Sequence, residues 1–449
     1  MYLKIKKLTS VLIFKLAVMS LFVSLILGFA AGYSVSFAAS SEPVYFLYAH
    51  CMSGGYAYLG QRELLGTQLA IEDINKMGGI KSLGGAPVKL WRTVDLTSDP
   101  KAGAAALEAA LSAAKSKGVT ISAIATMDIS GMTGPCIPIA EKYGIPLIAS
   151  VGKTGLSEMG AKYFFRVFPS NEYWAKAQVD FIKVVKEKYR PEFTKLGIAY
   201  EETAWPTDLA EQAKKWIKKY NLPINIVTEM AYPKDLIDGI PVITKLMASG
   251  AEVVILNGYA EVLYILGASD AMGYKPLWVG GGGFFVQPEL FEDRGPERIK
   301  GIVSAMSCNH RWDNPIAEEV NANFIKFAEK LDLPYITEHA ISGYSGAWTA
   351  KYGVEQAASR DPEKVKDALH GLEIVMGPAE DEGKMRDGAI ISPRALFVTP
   401  GGAHLKFNEK GDNIYMSACS VQWQEIEDGK WEPVTVSPEE HTSYKLIMK

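Results

Sequence analysis

The sequence predicts an α/β fold built on parallel β-sheets. Short runs rich in β-branched and aromatic residues alternate with stretches of helical periodicity over most of the chain. This alternation is typical of βαβ units, in which a helix carries the chain back between parallel strands. The pattern forms two series, from Pro43 to about Ser150 and from near Asn171 to near Pro288. Strands are predicted at 44–48, 88–93, 121–125, 146–150, 196–200, 224–230, 253–257 and 276–279.

The helices and the remaining strands follow from periodicity and from glycine and proline positions. Apolar residues over 60–77 recur near the 3.6-residue period, and Gly78-Gly79 supplies a stop signal. An Ala-rich helix over 101–117 follows Asp99-Pro100, and the strand-like segment 163–168 connects the two series. Two further helices are predicted at 340–360 and 361–372, and closing strands near 415–424 and 431–436.

The composition is that of a globular protein. The chain has 449 residues, of which 48% are hydrophobic and 22% charged, so a fibrous or disordered protein is excluded. Lys and Arg total 47 against 51 Asp and Glu, and the formal charge of −4 offers no electrostatic footprint for DNA or RNA. At roughly 100–200 residues per domain, the length predicts two or three domains.

The first 38 residues are predicted to form a signal peptide for Sec-dependent export. Four lysines precede an apolar run over 16–31, and small residues ending in Ala38 follow it. The alternative is a membrane anchor that is never removed, but this run is shorter than the roughly 20 residues that a spanning helix needs. The residues before Cys51 lack the small-residue pattern of a lipoprotein cleavage site. The sequence therefore predicts a soluble periplasmic protein that is not a lipoprotein.

Motifs for catalysis, metal binding and nucleotide binding are absent from the sequence. No HExxH pair, CxxC pair or Walker A loop occurs, and the six histidines are scattered singly. The stretch 343–347 resembles a nucleophile elbow only loosely, so a helix surface is the better explanation for Ser345. We therefore expect no catalytic residue, no metal ligand and no cofactor. An exported hydrolase, the third functional class considered, lacks a recognisable nucleophile and base.

The loops after the first, third and fourth predicted strands are rich in hydroxyl groups. They span 52–60, 128–135 and 151–154. Open parallel α/β sheets bind ligands beyond the carboxyl ends of their strands, so these loops would converge at one sheet edge. A hydroxyl beside the backbone N–H groups of a helix N-terminus suits a carboxylate. Helix capping would also explain Ser130 and Thr154 singly, but three converging loops favour a binding site.

Four segments carry a recognisable pattern in order along the chain: Ser53-Gly54, Gly66 with 70–80, Asp95 with Asp99-Pro100-Lys101, and 141–150. They resemble the leucine/isoleucine/valine-binding family of ABC-transporter solute receptors, and the match runs from about Val44 to Gln424. The resemblance implies a type I periplasmic-binding fold, with two Rossmann-like lobes that are joined by three hinge crossovers and close on a ligand like a flytrap. The expected division is 39–167 with 309–377 for lobe I, 168–308 with 378–436 for lobe II, and 437–449 for a C-terminal tail.

The resemblance also implies ligand-binding residues on the first lobe. Ser130 matches the family's carboxylate-binding serine, and Thr154 matches the threonine used on the ligand's polar end. Gly152 offers a backbone group nearby. The aromatic position of this lobe falls on Leu59 with Tyr58 beside it, and we take Tyr58 as the candidate.

On the second lobe the resemblance places two aromatic residues at the ligand. Trp205 falls where the family has an aromatic wall, and Tyr259 matches a tyrosine that closes over the ligand. The alternative for both is a place in the core of lobe II. Each follows a strand end, which favours ligand contact. Phe284 is a third candidate.

One departure from the family bears on the ligand. The acidic residue that receives the ligand's ammonium group would fall within 280–283, where this chain has only glycine. Burying an ammonium group without a carboxylate costs several kcal/mol per ion. Either Glu201, Glu202 or Asp128 replaces that acid, or the ligand has no amine. The glycines would also make room for a bulky ligand, and we favour a non-amino-acid carboxylate or amide over an amino acid.

The four cysteines are predicted to form two disulfides. Cys51 and Cys136 fall at the same edge of lobe I, and Cys308 and Cys419 both fall near the lobe II crossovers. An oxidising compartment favours such pairs. Four unpaired buried thiols are the alternative.

The resemblance implies a solute receptor that works as a monomer. Its partners would be a small-molecule ligand with a carboxylate or amide and a membrane ABC permease. The alternative function is a ligand-sensing protein of the same fold that passes occupancy to a signalling partner. The sequence contains no kinase or DNA-binding segment, which favours delivery to a permease.

Overall fold

We analysed a computed structural model, which describes residues 42–312, 314–394, 405–439 and 442–448. The predicted signal peptide lies outside the described residues. The strands are β1 (Val44–His50), β2 (Val88–Asp95), β3 (Ile121–Ile124), β4 (Leu147–Ala149), β5 (Phe164–Arg166), β6 (Lys195–Glu201), β7 (Asn225–Tyr232), β8 (Val253–Asn257), β9 (Leu277–Gly281), β10 (Val303–Met306), β11 (Glu373–Val375), β12 (Met385–Arg386), β13 (Ala389–Ile391), β14 (Leu405–Lys406), β15 (Cys419–Glu427) and β16 (Lys430–Ser437).

The helices lie between these strands. They are α1 (Ala57–Lys76), α2 (Pro100–Ser116), α3 (Ser130–Tyr143), α4 (Asn171–Val184), α5 (Ala204–Lys219), α6 (Ile240–Ser249), α7 (Val262–Ala271), α8 (Pro288–Ile299), α9 (Ala317–Phe327), α10 (Glu338–Ala357) and α11 (Pro362–His370). Within the part of the chain that the structure describes, no helix combines the length and the apolar character needed to cross a bilayer.

Five parallel strands form the first sheet, in the order β2-β1-β3-β4-β5. The strand order reverses between β1 and β3, and in open α/β sheets this switch point is where ligands bind, beyond the carboxyl ends of the strands. The residues that follow β1 and β3 are therefore placed at a potential binding edge.

The second sheet repeats this arrangement and adds two strands. Its order is β16-β15-β10-β9-β8-β6-β7, in which β6 to β10 are parallel and β15 and β16 join antiparallel beside β10. Its switch point lies between β6 and β8. Every predicted strand of the two βα series is present, with end shifts of a few residues, and the predicted α/β fold with parallel sheets is confirmed. The strand β10 was not predicted.

Four short strands form a third sheet in the order β12-β13-β11-β14. In it β13 and β14 pair directly with β11. The Arg166 Nε atom of β5 also donates to Asp412 Oδ1 at 2.7 Å. These contacts attach the described parts of 378–413 to β5 and β11, which belong to predicted lobe I. The lobe boundaries stay a proposal, and the contacts favour moving this segment from lobe II to lobe I.

Helices α1 and α10 pack against each other at unusually close range because glycines line their interface. A Cβ atom at Gly66 would clash with the backbone carbonyl of Ala340, and one at Gly343 would clash with the carbonyl of Glu63. The elbow-like stretch 343–347 lies in this contact. Ser345 is fully buried there rather than at a helix surface, which corrects the prediction from sequence. The close packing fixes α1 and the start of α10 relative to the first sheet.

The four cysteines are free thiols in the structure, and all are buried. Neither predicted disulfide is formed. Burial raises the pKa of the Cys51 thiol to about 11 and that of Cys136 to about 12, so both are protonated at neutral pH.

Candidate functional site

The switch point of the first sheet holds a buried cluster of ionisable side chains. His50 ends β1 and Asp128 follows β3, while Glu63 reaches the cluster from α1 and His339 from the first turn of α10. His50 Nε2 contacts Asp128 Oδ1 and lies 3.1 Å from Glu63 Oε2. His339 Nδ1 contacts the other oxygen, Asp128 Oδ2. Both oxygens of Asp128 are therefore occupied by imidazole groups.

The electrostatics of this cluster follow from burial and from these contacts. Burial alone would lower the pKa of His50, but the carboxylates of Asp128 and Glu63 raise it well above its usual value. Burial would raise the pKa of Asp128, yet His50 and His339 hold it below its usual value. Burial, reinforced by the charge of Asp128, raises the pKa of Glu63 to about 7.

The switch point of the second sheet holds a pair of carboxyl groups. Glu201 ends β6, and Glu261 follows β8 by one turn. Glu201 Oε1 accepts from Thr203 Oγ1 at 2.7 Å and from Tyr56 Oη at 3.2 Å. Glu261 Oε1 accepts from the Tyr259 backbone N–H at 2.9 Å. Because Tyr56 precedes α1, its bond to Glu201 connects the two lobes.

The two carboxyl groups influence each other's protonation. Burial, reinforced by the nearby Glu201 carboxylate, raises the pKa of Glu261 to about 8. Burial also raises the pKa of Glu201, while the side-chain hydrogen bonds that it accepts, including one from Glu261, act against that rise. At neutral pH Glu261 is thus the protonated partner and Glu201 the acceptor. A ligand cation could replace that proton.

Aromatic rings line the space between the two switch points. Trp205 lies edge-on to Trp174 with ring centroids 5.7 Å apart, and Tyr259 lies 5.3 Å from Trp205. The ring of Tyr56, from the first lobe, lies 4.9 Å from Tyr259. The arrangement brings the predicted residues Trp205 and Tyr259 to the interface between the lobes.

A second aromatic contact crosses the interface at Tyr58 and Phe284. Their rings meet edge to face with centroids 5.8 Å apart. The Arg62 guanidinium lies 5.7 Å from the Tyr58 ring and reaches across to contact Gln287 and Glu289. Tyr58 and Phe284 thus contact each other across the lobes.

Two cavities meet at Tyr259. The deep cavity, of about 30 Å³, is lined by Asp128, Ser150, Gly152, Phe168, Trp174, Trp205, Tyr259, Gly283, Glu338 and His339. The outer cavity, of about 750 Å³, includes Tyr56, Glu201, Lys234, Leu236, Tyr259, Glu261, Leu263 and Arg298. A volume of 30 Å³ holds a water or two, whereas ligand sites have roughly 300–1,000 Å³. The deep cavity is therefore closed to a ligand until the lobes separate.

A third cavity lies at the other end of α1 and α10. It has about 430 Å³ and is lined by residues that include Met77, Trp348, Lys351 and Glu382. Because it is remote from both switch points and has walls from the first lobe only, we do not assign it to the ligand site.

Of the residues predicted to bind the polar end of the ligand, Gly152 lines the deep cavity, whereas Ser130 and Thr154 are not among its lining residues. Ser130 is buried at the start of α3, and its Oγ accepts from the Lys153 backbone N–H at 3.1 Å, so its own proton is available for a second bond. Thr154 is bound to a residue of the second lobe. Its backbone N–H and its hydroxyl donate to Asp208 Oδ2 at 2.8 and 3.0 Å. The Asp208 carboxylate therefore accepts hydrogen bonds from the Thr154 groups that were predicted to bind the ligand.

The glycines at 280–283 do not leave space for a ligand. A Cβ atom at Gly280 would come 2.5 Å from the Phe285 ring, and one at Gly282 would clash with the Trp174 ring. The expectation of extra room is therefore corrected. Gly280 and Gly282 are required because an aromatic ring of the protein packs directly on the backbone at each of them.

Several residues of the site were not found from the sequence. His50 and His339 were treated as scattered histidines, and Glu63, Asp208 and Glu261 were not considered. The signal that could have found His50 and Glu261 is their position at or just after a strand beside a switch point. Glu63 and His339 come from helices, and only the close packing of those helices brings them together.

Comparison with known proteins identifies similar chains. A family model described as "Periplasmic binding protein" matches residues 43–400. The Leu/Ile/Val-binding protein homolog 8 of Brucella suis biovar 1 (strain 1330) is 27% identical over 429 residues, which cover 93% of this chain and 96% of that protein.

Two solved structures share the fold. The branched-chain amino acid transporter substrate binding protein LivJ from Streptococcus pneumoniae, in complex with isoleucine, has a TM-score of 0.65 and 18% identity, covering 88% of this chain and 100% of that chain. A solute binding protein of an ABC transporter from Rhodopseudomonas palustris BisB5, in complex with 3,4-dihydroxy benzoic acid, has a TM-score of 0.68 and 15% identity. The match covers 88% of this chain and 96% of that chain. At such identities these likenesses show a common fold.

Proposed function

Because the chain belongs to the periplasmic binding protein family, we propose that it is the exported solute receptor of an ABC importer and captures a small carboxylate, amino acid or amide between two closing lobes. Its relatives in family and fold are substrate-binding proteins rather than enzymes. In this proposal residues 1–38 direct export to the periplasm, and the loaded receptor delivers its ligand to a membrane permease.

One observation carries this proposal: the two switch points face each other across an aromatic interface. His50 and Asp128 mark the first switch point, and Glu201 and Glu261 mark the second. Tyr259 borders both cavities between them. Two lobes that bury a polar site on closing are suited to capture and release a solute, because opening exposes the site and closing removes water from it.

For the ligand, we propose a carboxylate that also carries an amine, which revises the preference drawn from the sequence. The sequence lacked an acid at 280–283, but Glu201 and Glu261 supply two buried carboxyl groups at the second switch point. A ligand ammonium would replace the proton of Glu261 and allow both groups to ionise. Asp128 is less suited to this task, because His50 and His339 occupy both of its oxygens.

The carboxylate of the ligand would bind at the start of α3. The hydroxyl proton of Ser130 and the N-terminal N–H groups of this 14-residue helix favour an anion. Trp205 and Tyr259 would contact the ligand's apolar part once the lobes open and reclose around it.

The test is a melting-temperature panel of branched-chain and aromatic amino acids, aromatic acids without an amine, dicarboxylates and amides. We expect amino acids to raise the melting temperature, since a ligand at 100 times its dissociation constant adds about 2.7 kcal/mol. Glu201→Gln should weaken amino-acid binding at least tenfold in calorimetry. The neighbouring Glu202→Gln, on an exposed side chain, is the matched control and should bind normally.

Two results would contradict the proposed ligand class. One is binding of an amine-free acid that exceeds amino-acid binding, and the other is equal amino-acid affinity in Glu201→Gln and the wild type. The importer role is tested separately, by asking whether permease-containing vesicles take up the ligand only when the protein is added. Turnover of any ligand in the panel would instead point to an enzyme.

A further inference from the structure

The cluster at the first switch point has the donor set of a metal site. His50 Nε2, Glu63 Oε2 and Asp128 Oδ1 all lie within 4.8 Å of one another. The distance from His50 Nε2 to Glu63 Oε2 is 3.1 Å, close to the separation of two donors that share one metal ion. The three residues come from β1, α1 and the loop after β3. The fold therefore brings three separate segments together at one point.

Among the residues that the structure describes, one carboxylate of the cluster lacks a hydrogen-bond partner. Glu63 is fully buried, and neither of its oxygens accepts a well-aligned hydrogen bond. Within the described residues, the ion-pair partners of Glu63 and Asp128 are histidines, with no Lys or Arg among them. Buried carboxylates are normally paired with a cation or bound to a metal, because an isolated buried charge is costly. Two carboxylates match the charge of one divalent ion.

We propose that His50, Glu63 and Asp128 bind a divalent first-row transition metal, with Zn²⁺ as the best fit. Imidazole and carboxylate groups are common zinc ligands, and three protein ligands leave a position for water or another small ligand. His339 would act from outside the metal, because its contact with Asp128 Oδ2 orients the carboxylate whose other oxygen faces His50. This proposal is independent of the proposed transport function.

The surroundings of the three ligands suit a fixed site. Gly343 allows α10 to lie directly on the backbone of Glu63, and the ring of Tyr48 stacks on that of His50 with centroids 6.2 Å apart. Rigid surroundings favour metal binding because little ordering is needed when the ion enters. Asp128 and His339 also line the deep cavity, so the ion would lie next to the interface between the lobes.

The experiment titrates the chelator-treated, full-length mature protein with Co²⁺ and then Zn²⁺, without any organic ligand. We expect one Co²⁺ per chain, visible absorption bands of a low-coordinate Co²⁺ ion, and displacement of Co²⁺ by Zn²⁺. Glu63→Gln preserves the shape of the side chain and should weaken metal binding by at least about tenfold. His310→Gln is the control, because His310 is a buried histidine that contacts the carboxylate of Glu432 on β16 of the second sheet, away from the proposed metal ligands.

The outcomes separate a site from unspecific uptake. Unchanged binding in His310→Gln together with weakened binding in Glu63→Gln supports the site. Substoichiometric uptake by the wild type, or uptake that Glu63→Gln and His50→Gln leave unchanged, overturns it. If a variant does not fold, the absorption spectrum of the wild-type Co²⁺ complex still decides, because a hydrated octahedral ion gives only weak bands.

Discussion

The polar and ionisable side chains that could bind a ligand or an ion lie at the two switch points. Each acid in the interface has distinct partners: imidazoles for Asp128, a second carboxyl group for Glu201, and the hydroxyl and backbone N–H of Thr154 for Asp208. The side chains are alike in type but differ in their partners. Their roles can therefore be separated by single substitutions.

Ser130→Ala should weaken binding of the best ligand from the melting panel at least tenfold. The variant loses a hydroxyl donor to the ligand carboxylate, and such charge-assisted bonds contribute about 1.5–3 kcal/mol. The unliganded protein should lose about 1 kcal/mol, because the Lys153 backbone N–H loses its acceptor. Calorimetry and urea unfolding measure the two effects. Ser116→Ala, on an exposed helix end, should change neither, and equal ligand affinity in Ser130→Ala would remove Ser130 from the site.

The stability of the unliganded protein should fall between about pH 4.5 and pH 8 because of Glu261. Its pKa is raised to about 8 in the folded protein, whereas an unfolded glutamate ionises near 4.5. In this range the folded state holds a proton that the unfolded state has released, so a rise in pH favours unfolding. The effect is complete above the folded pKa.

Glu261→Gln should flatten this part of the stability profile. The amide keeps a donor toward Glu201 and has no proton to lose, so melting temperatures at pH 5 and pH 8.5 should differ less than in the wild type. Glu202→Gln is again the matched control. A profile that keeps its full slope in Glu261→Gln would show that another group is responsible.

At the scale of elements, the contact between α1 and α10 is the most sensitive part of the first lobe. A methyl group at Gly66 would clash with the backbone of Ala340, which occupies that position. Gly66→Ala should therefore cost more than about 2 kcal/mol of unfolding free energy, despite the better helix propensity of alanine. Gly267→Ala, inside α7 with open space around it, should be neutral or stabilise by up to about 1 kcal/mol. Urea unfolding of both variants tests the contrast; similar stabilities would refute the packing explanation.

The helices and strands were predicted from the sequence more accurately than the residues of the candidate site. The strands of the βα series and the helices near 60–77 and 101–117 depend on local periodicity, which a single sequence contains. The cluster around Asp128 brings together residues that are far apart in the sequence: 13 positions separate His50 from Glu63, 78 separate His50 from Asp128, and 211 separate Asp128 from His339. No local sequence pattern indicates that such residues meet. The glycines at 280–283 show the same limit, since their packing against Trp174 depends on a helix more than 100 residues earlier.

At the scale of the whole molecule, the structure is a closed form with a deep cavity of only about 30 Å³. A ligand can enter only if the lobes rotate apart, so we expect the unliganded protein in solution to include an open form and the liganded protein to be closed. Small-angle scattering should then give a smaller radius of gyration with saturating ligand than without it. Asp208→Asn should enlarge the unliganded radius, because it weakens a contact between the lobes. An unchanged radius under all three conditions would contradict hinge closure.

The contact of Thr154 with Asp208 also limits the rate at which the protein can capture a ligand. The deep cavity cannot admit a ligand while the two hydrogen bonds from Thr154 to Asp208, at 2.8 and 3.0 Å, hold the lobes together. Capture must then wait for opening, and hinge motions of this kind take microseconds to milliseconds. In stopped-flow fluorescence of the interface tryptophans, the observed rate should level off at high ligand concentration rather than rise without limit. Asp208→Asn should raise that plateau, so that the receptor samples its surroundings more often but retains each ligand for a shorter time.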